Sequence, residues 1–130
     1  MFQETITTEG IKISVIVYYQ SYYSKPHQNH FVFSYKVCIE NVSNQTVQLL
    51  RRHWYIFDSN GTKREVEGEG VIGQQPIIAP NEKHEYTSWC PLKTPVGRMY
   101  GTYLMKKKSD NTTIQVKIPT FNLITPTKLN

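Results

Sequence analysis

A chain of 130 residues that is 38% hydrophobic, with nine Tyr, five Phe and two Trp, can build one core without disulfide or metal support and is too rich in aromatic and β-branched residues for disorder. Its formal charge of +5, from 15 basic and 10 acidic residues, is spread along the chain; it permits weak attraction to anions and singles out no partner. The longest apolar run is too short to span a bilayer, and the opening MFQETITTEG has neither the basic nor the apolar region of a signal peptide, so the expectation is a cytoplasmic protein with no membrane contact.

Taken in order, the strands are marked by alternation. In Ile11–Tyr19 the residues Ile11, Ile13, Val15 and Val17 share one face, predicting a first strand. A polar loop, Ser21–His30, broken by Pro26, leads to a second, in which Phe31, Phe33, Tyr35, Val37 and Ile39 alternate with Val32, Ser34, Lys36, Cys38 and Glu40 and define an inward face. After a turn over Asn41–Gln45, a third strand runs from Thr46 to Phe57 and carries Trp54. Asp58-Ser59-Asn60-Gly61 follows. Asn-Gly between β-prone segments predicts a type I′ hairpin with both central residues at positive φ, returning along Thr62–Val66.

Pro76 and Pro80 forbid a helix and predict an extended edge segment with a turn. Lys83–Cys90 reads as a short strand stopped by Pro91, and Thr94–Gly97 as a turn. In Arg98–Lys107 the residues Met99, Gly101, Tyr103 and Met105 alternate against their neighbours, predicting another strand. Ser109–Asn111 turns the chain into a last strand, Thr112–Ile118, ended by Pro119, with Phe121–Ile124 packing back. No amphipathic helix and no repeat is found. About seven strands at this spacing predict two antiparallel sheets face to face, an open barrel being the alternative. One domain is expected over residues 1–130, with its core over about 7–124 and short flexible termini.

A series of ordered matches begins at Arg52-His53-Trp54. It continues through the Asp58/Gly61 turn, Glu65-Val66, GxGVIG at Gly68–Gly73, Gln74-Gln75-Pro76, Tyr86-Thr87-Ser88, TPxGxMxGxYxM over Thr94–Met105 and IPxFxL over Ile118–Leu123. In these residues the chain resembles the ApaG family. The resemblance implies an all-β immunoglobulin- or fibronectin type III-like sandwich and a small cytosolic protein. It further implies an association with cobalt and magnesium tolerance without an established reaction and, from eukaryotic proteins with similar domains, a protein-interaction module. It brings no catalytic residues.

The string Gly68-Glu69-Gly70-Val71-Ile72-Gly73 also spells GxGxxG, the glycine pattern of dinucleotide sites. That chemistry needs a helix N-terminus after the glycines, so that free N–H groups and the helix dipole face a pyrophosphate; Gln74, Gln75 and Pro76 supply none. A helix-free anion nest is the weaker version. In it Gly68, Gly70 and Gly73 would offer N–H groups to a diphosphate or nucleotide, with Arg51, Arg52 and His53 beside them. Glu67 and Glu69 oppose it, a carboxylate about 4 Å from a phosphate costing about 1 kcal/mol even in water. The other reading of the glycines is positive φ and close packing at a bend.

Trp54 is expected to fill the core and His53 to face the opposite way, where it could line a groove with Arg51. His27, His30, His53 and His84 form no tetrahedral ligand set, so no metal or cofactor is predicted. His84, Glu85 and Ser88 share one short strand with alternating faces and no nucleophile elbow, which argues against hydrolysis. Cys38 and Cys90 flank Trp54 in the order of an immunoglobulin disulfide, but Ser88 stands where those domains carry tyrosine, and both are read as reduced thiols. Lys106-Lys107-Lys108 reads as a solvated hairpin end, too few basic residues for nucleic acid. The reading is a non-enzymatic module, monomer or weak homodimer, that captures a protein partner by a sheet edge or by the Gly68–Pro76 loop; the alternative is a diphosphate- or nucleotide-binding module.

Overall fold

The computed structural model describes residues 2–126. Its strands are β1 (Phe2–Thr8), β2 (Ile11–Tyr19), β3 (Phe31–Asn41), β4 (Val47–Asp58), β5 (Lys63–Glu69), β6 (Ile77–Ile78), β7 (Lys83–Leu92), β8 (Val96–Lys107) and β9 (Thr113–Ile124). They form two antiparallel sheets, β1-β2-β3-β7 and β5-β4-β8-β9, with β6 pairing β4 in line with β5. The predicted sandwich is therefore present, with nine strands among the described residues rather than about seven.

Alternation decides the core. Ile11, Ile13, Val15 and Val17 from β2, Phe33, Tyr35, Val37 and Ile39 from β3, and Met99, Tyr103 and Met105 from β8 are buried between the sheets. Trp54 is 3% exposed and meets Tyr35, Phe121 and Tyr103 edge-on at ring separations of 5.4, 5.9 and 6.4 Å, a favourable geometry for aromatic quadrupoles. β9 packs against β1 and β2, closing one flank. At the opposite flank the sheets end in β7 and β5.

Several local expectations are corrected. The N-terminal end, expected as flexible, is strand β1, paired with β2 from Phe2↔Val17 to Thr8↔Ile11. Gln3, Glu4 and Thr5 are exposed and Ile6 is half-buried, so β1 shows no sustained apolar alternation to read; the tight turn at Glu9 (φ 49) and Gly10 (φ 78) pins it to β2. The C-terminal residues 127–130 lie outside the described residues. The Asn60-Gly61 hairpin is not type I′, because only Gly61 has positive φ, at 90°. Gly61 N–H donates to the Asp58 carbonyl (3.0 Å) and Asp58 N–H to the Thr62 carbonyl (2.9 Å), a three-residue loop with a left-handed glycine. The Asn60 side chain accepts from Thr62 N–H at 2.9 Å, a local bond that closes the loop.

Neither proline stops its strand. β7 runs through Pro91, opposite Val32, since on an edge strand the missing donor costs no ladder bond. β9 runs through Pro119, which falls where the β8–β9 register shifts between Met99 and Gly101, also at a sheet edge. The polar loop after β2 contains one 3₁₀ turn, Pro26–Gln28, and covers the outer side of β3. Ser24 Oγ accepts from Val32 N–H (2.9 Å) and Gln20 Nε2 donates to Ser34 Oγ (2.8 Å). No helix among the described residues is long and apolar enough to cross a membrane.

Candidate functional site

The register of β4 slips between Leu49 and Arg51, and this bulge inverts the alternation. Val47 and Leu49 point into the core, and beyond the slip so do Trp54 and Ile56, with Arg52 on the same side. Across β5, Arg52 faces Gly68, Trp54 faces Val66 and Ile56 faces Arg64. The inner face of β5 is thus Arg64, Val66 and an empty position at Gly68.

Arg52 fills that position. A Cβ at residue 68 would stand 2.9 Å from both terminal nitrogens of Arg52, so the guanidinium lies directly on the glycine backbone. From there its Nη1 donates to the carbonyls of Glu69 and Gly70, each at 3.0 Å. Gly70 has φ 63, and a Cβ there would collide with the Gln74 carbonyl; its N–H donates to the Leu50 carbonyl at 2.8 Å. Val71 and Gln74 exchange N–H···O bonds of 2.8 and 3.0 Å around Ile72 (φ 47) and Gly73 (φ 72), which is the type I′ turn that the sequence placed at Asn60-Gly61. A β-branched residue in the left-handed region is a true outlier, and Ile72 is also 61% exposed. The first glycine of the string gives room to Arg52; the other two supply positive φ.

Between β5 and β7 the sandwich opens into a cleft of about 300 Å³. Tyr35, Trp54 and Met99 form its floor. Arg64, Val66, Ile72 and Gly73 form one wall, and Tyr86, Ser88 and Cys90 of β7 the other. Arg64 reaches across one end, Nη2 donating to the Pro91 carbonyl at 2.6 Å. Both cleft arginines are held by backbone carbonyls, and no ion pair among the described residues joins either to a carboxylate. Val66 is 39% exposed on the inner face of β5, and Trp89, 51% exposed, stands at the rim of β7 against Tyr23, ring centroids 5.4 Å apart.

Hydroxyl groups gather behind Arg52. Tyr86 and Tyr103 share a hydrogen bond, and Ser88 stands opposite Tyr35 across the β3–β7 ladder. Burial pushes all three phenols above the ordinary range, while the Arg52 charge pulls weakly the other way. Burial likewise raises the Cys90 thiol to about 11 despite Arg64. It is a protonated, inert thiol. Cys38 is also free.

The six residues suggested for an anion site do not share one surface. Arg52, Gly68, Gly70 and Gly73 lie at the cleft. Arg51 and His53 line a second depression with Glu67, Thr102 and Gln115 on the outer face of the larger sheet, and Arg52 contributes to both places. There His53 Nδ1 meets Glu67 at 2.8 Å and Nε2 meets Glu65 at 3.3 Å. His53 also stacks on Tyr55 at 4.5 Å, which leads through Tyr100 (5.1 Å) to Phe57 (5.7 Å). Glu85 pairs with Lys36 at 2.8 Å on the outside of β7, facing away from Ser88. Among the described residues no three His, Cys, Asp or Glu side chains are placed to hold a metal ion. Of the other cleft residues, Arg64 is legible from the sequence only as one of several cations near the glycines, while Val66 and Trp89 carry no signal beyond an apolar side chain on a strand and Ile72 none beyond its place in the glycine string.

Comparison with known proteins fits this architecture. The family profile described as ApaG domain matches residues 21–107. A Paramagnetospirillum magneticum protein named Protein ApaG is 47% identical over 120 residues, 92% of each chain. A Brucella canis protein of the same name is 43% identical over 119 residues, 92% of this chain and 91% of its own. A crystal structure of a Bordetella pertussis protein designated ApaA superposes with a TM-score of 0.87 at 42% identity, covering 89% of this chain and 94% of that one. The chain described here belongs to the ApaG family.

Proposed function

We propose that this protein is a non-catalytic cytoplasmic binding module that captures a segment of a partner protein in the cleft between β5 and β7. The observation that carries the reading is the open flank, where two sheet edges face each other across an apolar floor and Val66, Ile72 and Trp89 are left exposed. Exposed apolar groups gathered at an open sheet edge are what partner recognition uses. The strained Ile72 fits the same role, since strained backbone concentrates at functional positions. Buried, protonated Cys90 and phenols held above their ordinary range supply neither nucleophile nor general base at neutral pH. In this reading a link to cobalt and magnesium tolerance runs through the captured partner.

The test is site-specific photo-crosslinking in cells from residues 66 and 72, with residue 5 on the outside of β1 as control. One and the same protein should be labelled from 66 and 72 and not from 5. Equal labelling from all three positions refutes the reading.

A further inference from the structure

The two sheets are unequal over the open flank. β5 lies beyond β4, whereas the opposite sheet stops at β7. Every residue of β5 except Gly68 is exposed, Val66 included although it points inward. The smaller sheet is one strand short of covering β5. The free edge of β7 is open to extension up to Pro91, whose outward carbonyl is capped by Arg64; by the alternation of an antiparallel ladder Trp89 and Thr87 turn their backbone N–H and C=O to the same side. Residues 86–90 carry no charge, in contrast to β5, whose Lys63, Arg64, Glu65, Glu67 and Glu69 guard it against strand pairing.

From this geometry we infer that the cleft takes an extended peptide that adds as a further strand to β7 and carries the pattern acidic–x–apolar–x–acidic on its inward face. The inference rests on the binding-module reading. A strand beside β7 lies over the inner face of β5, meeting Arg64, then Val66, then the Arg52 guanidinium on Gly68. These positions are two residues apart, about 7 Å, the spacing of alternate side chains on the added strand. The apolar side chain covers Val66 above Trp54. The two acidic ones meet arginines whose guanidinium groups are already oriented, Arg64 by Pro91 and Arg52 by Glu69 and Gly70, and a planar, preoriented guanidinium is matched to a carboxylate. At about 300 Å³ the cleft is at the lower end of ligand-site volumes, suited to a few side chains. Outward-facing side chains of the added strand run beside Trp89, where β-branched or aromatic residues pair best.

The experiment uses a capped nonapeptide, Thr-Val-Glu-Thr-Ile-Thr-Glu-Val-Thr, titrated into the ¹⁵N-labelled protein. Saturable shifts centred on the amides of Thr87, Trp89 and Val66 are expected. The same peptide with Lys for Glu should bind at least about tenfold more weakly, and Arg64→Gln should weaken the Glu peptide by about tenfold, the loss of one charge-assisted contact. Arg64→Glu should erase that preference, because the peptide then meets one cation at Arg52 and one anion at the substituted position. Equal binding of the two peptides, shifts centred on the outer face, or no localised shifts at millimolar peptide overturns the inference, and the peptide comparison stands even if an Arg64 variant folds poorly. Persisting crosslinks from residue 66 alongside a failed peptide would leave the module reading intact and reject this recognition pattern alone.

Discussion

Gly68→Ala gives the most direct test of how the cleft wall is built. The added methyl would sit 2.9 Å from Nη1 and Nη2 of Arg52 and 3.1 Å from Cζ, so the guanidinium, the free end of a flexible side chain, swings off the β5 backbone. It then loses its two hydrogen bonds to Glu69 and Gly70. Charge-assisted bonds of this kind, discounted because the arginine is only partly buried, contribute about 2 kcal/mol together. Gly68 lies in an extended strand without positive φ, so alanine also restricts the unfolded chain and returns about 0.5–1 kcal/mol. The net loss is about 1–1.5 kcal/mol, or about 4 °C in Tm for a domain of this size. Urea denaturation followed by the fluorescence of buried Trp54 measures it. The sharper prediction is a change of sign. In an Arg52→Ala background nothing obstructs the methyl, and Gly68→Ala should be neutral or stabilising, a coupling of about 2 kcal/mol in a double-mutant cycle. Equal destabilisation in both backgrounds refutes the account of Gly68 as the seat of Arg52.

Ile72→Asn should stabilise the fold by about 1 kcal/mol, because Asn tolerates the left-handed turn that strains isoleucine, while reducing crosslinking from residue 66; a loss of stability contradicts the strain argument. Stability should fall on the alkaline side: Cys90, Tyr86 and Tyr103 are held neutral in the fold with raised pKa values, so their contribution is complete below the unfolded values, about 8.5 for a thiol and 10 for a phenol, and is lost as pH rises toward the folded ones. For Cys90 that window ends at about 11, and Cys90→Ala should flatten the urea midpoint across it. Asp58→Ala should cost about 1–3 kcal/mol, since the buried carboxylate accepts from Thr94 Oγ1 at 2.8 Å and Lys93 N–H at 3.3 Å and ties the β4–β5 hairpin to the β7–β8 turn; an unchanged urea midpoint overturns that assignment.

What was legible in the sequence was what period two encodes. The inward rows of β2, β3 and β8 were read residue by residue because each must bury one face, and a slip of one residue would expose the whole row. Strand β1 is not legible, since its pairing to Ile11–Val17 comes with only Phe2 and Ile6 as large apolar residues, four positions apart. The prolines misled for a related reason. Pro91 and Pro119 break a strand only where the missing donor is needed, and sequence does not say which strands are edges. Arg52 lies beside the glycines, yet which way it points is fixed by the slip at Leu49–Arg51, a bulge that changes parity without a residue type of its own.

That parity change links the fold to the open flank. With regular alternation from Leu49, Arg51 and His53 would point inward and the charged groups now outside would enter the core. The slip instead sends Trp54 and Ile56 into the core and brings Arg52 to its rim. An arginine at the rim needs space on the neighbouring strand, and Gly68 leaves it. It also needs carbonyl partners, and the turn of chain at Gly70 presents those of Glu69 and Gly70. The same turn projects Ile72 beside the cleft. One bulge in β4 and the glycine string after β5 thus act as a unit, setting a preoriented cation and an exposed apolar tip along one unfilled edge of the sandwich. Substitutions in either part should propagate to the other, so inserting or removing one residue at Leu50 ought to displace Arg52 and unseat the Val71–Gln74 turn together, which amide exchange at Gly70 and Gln74 would report.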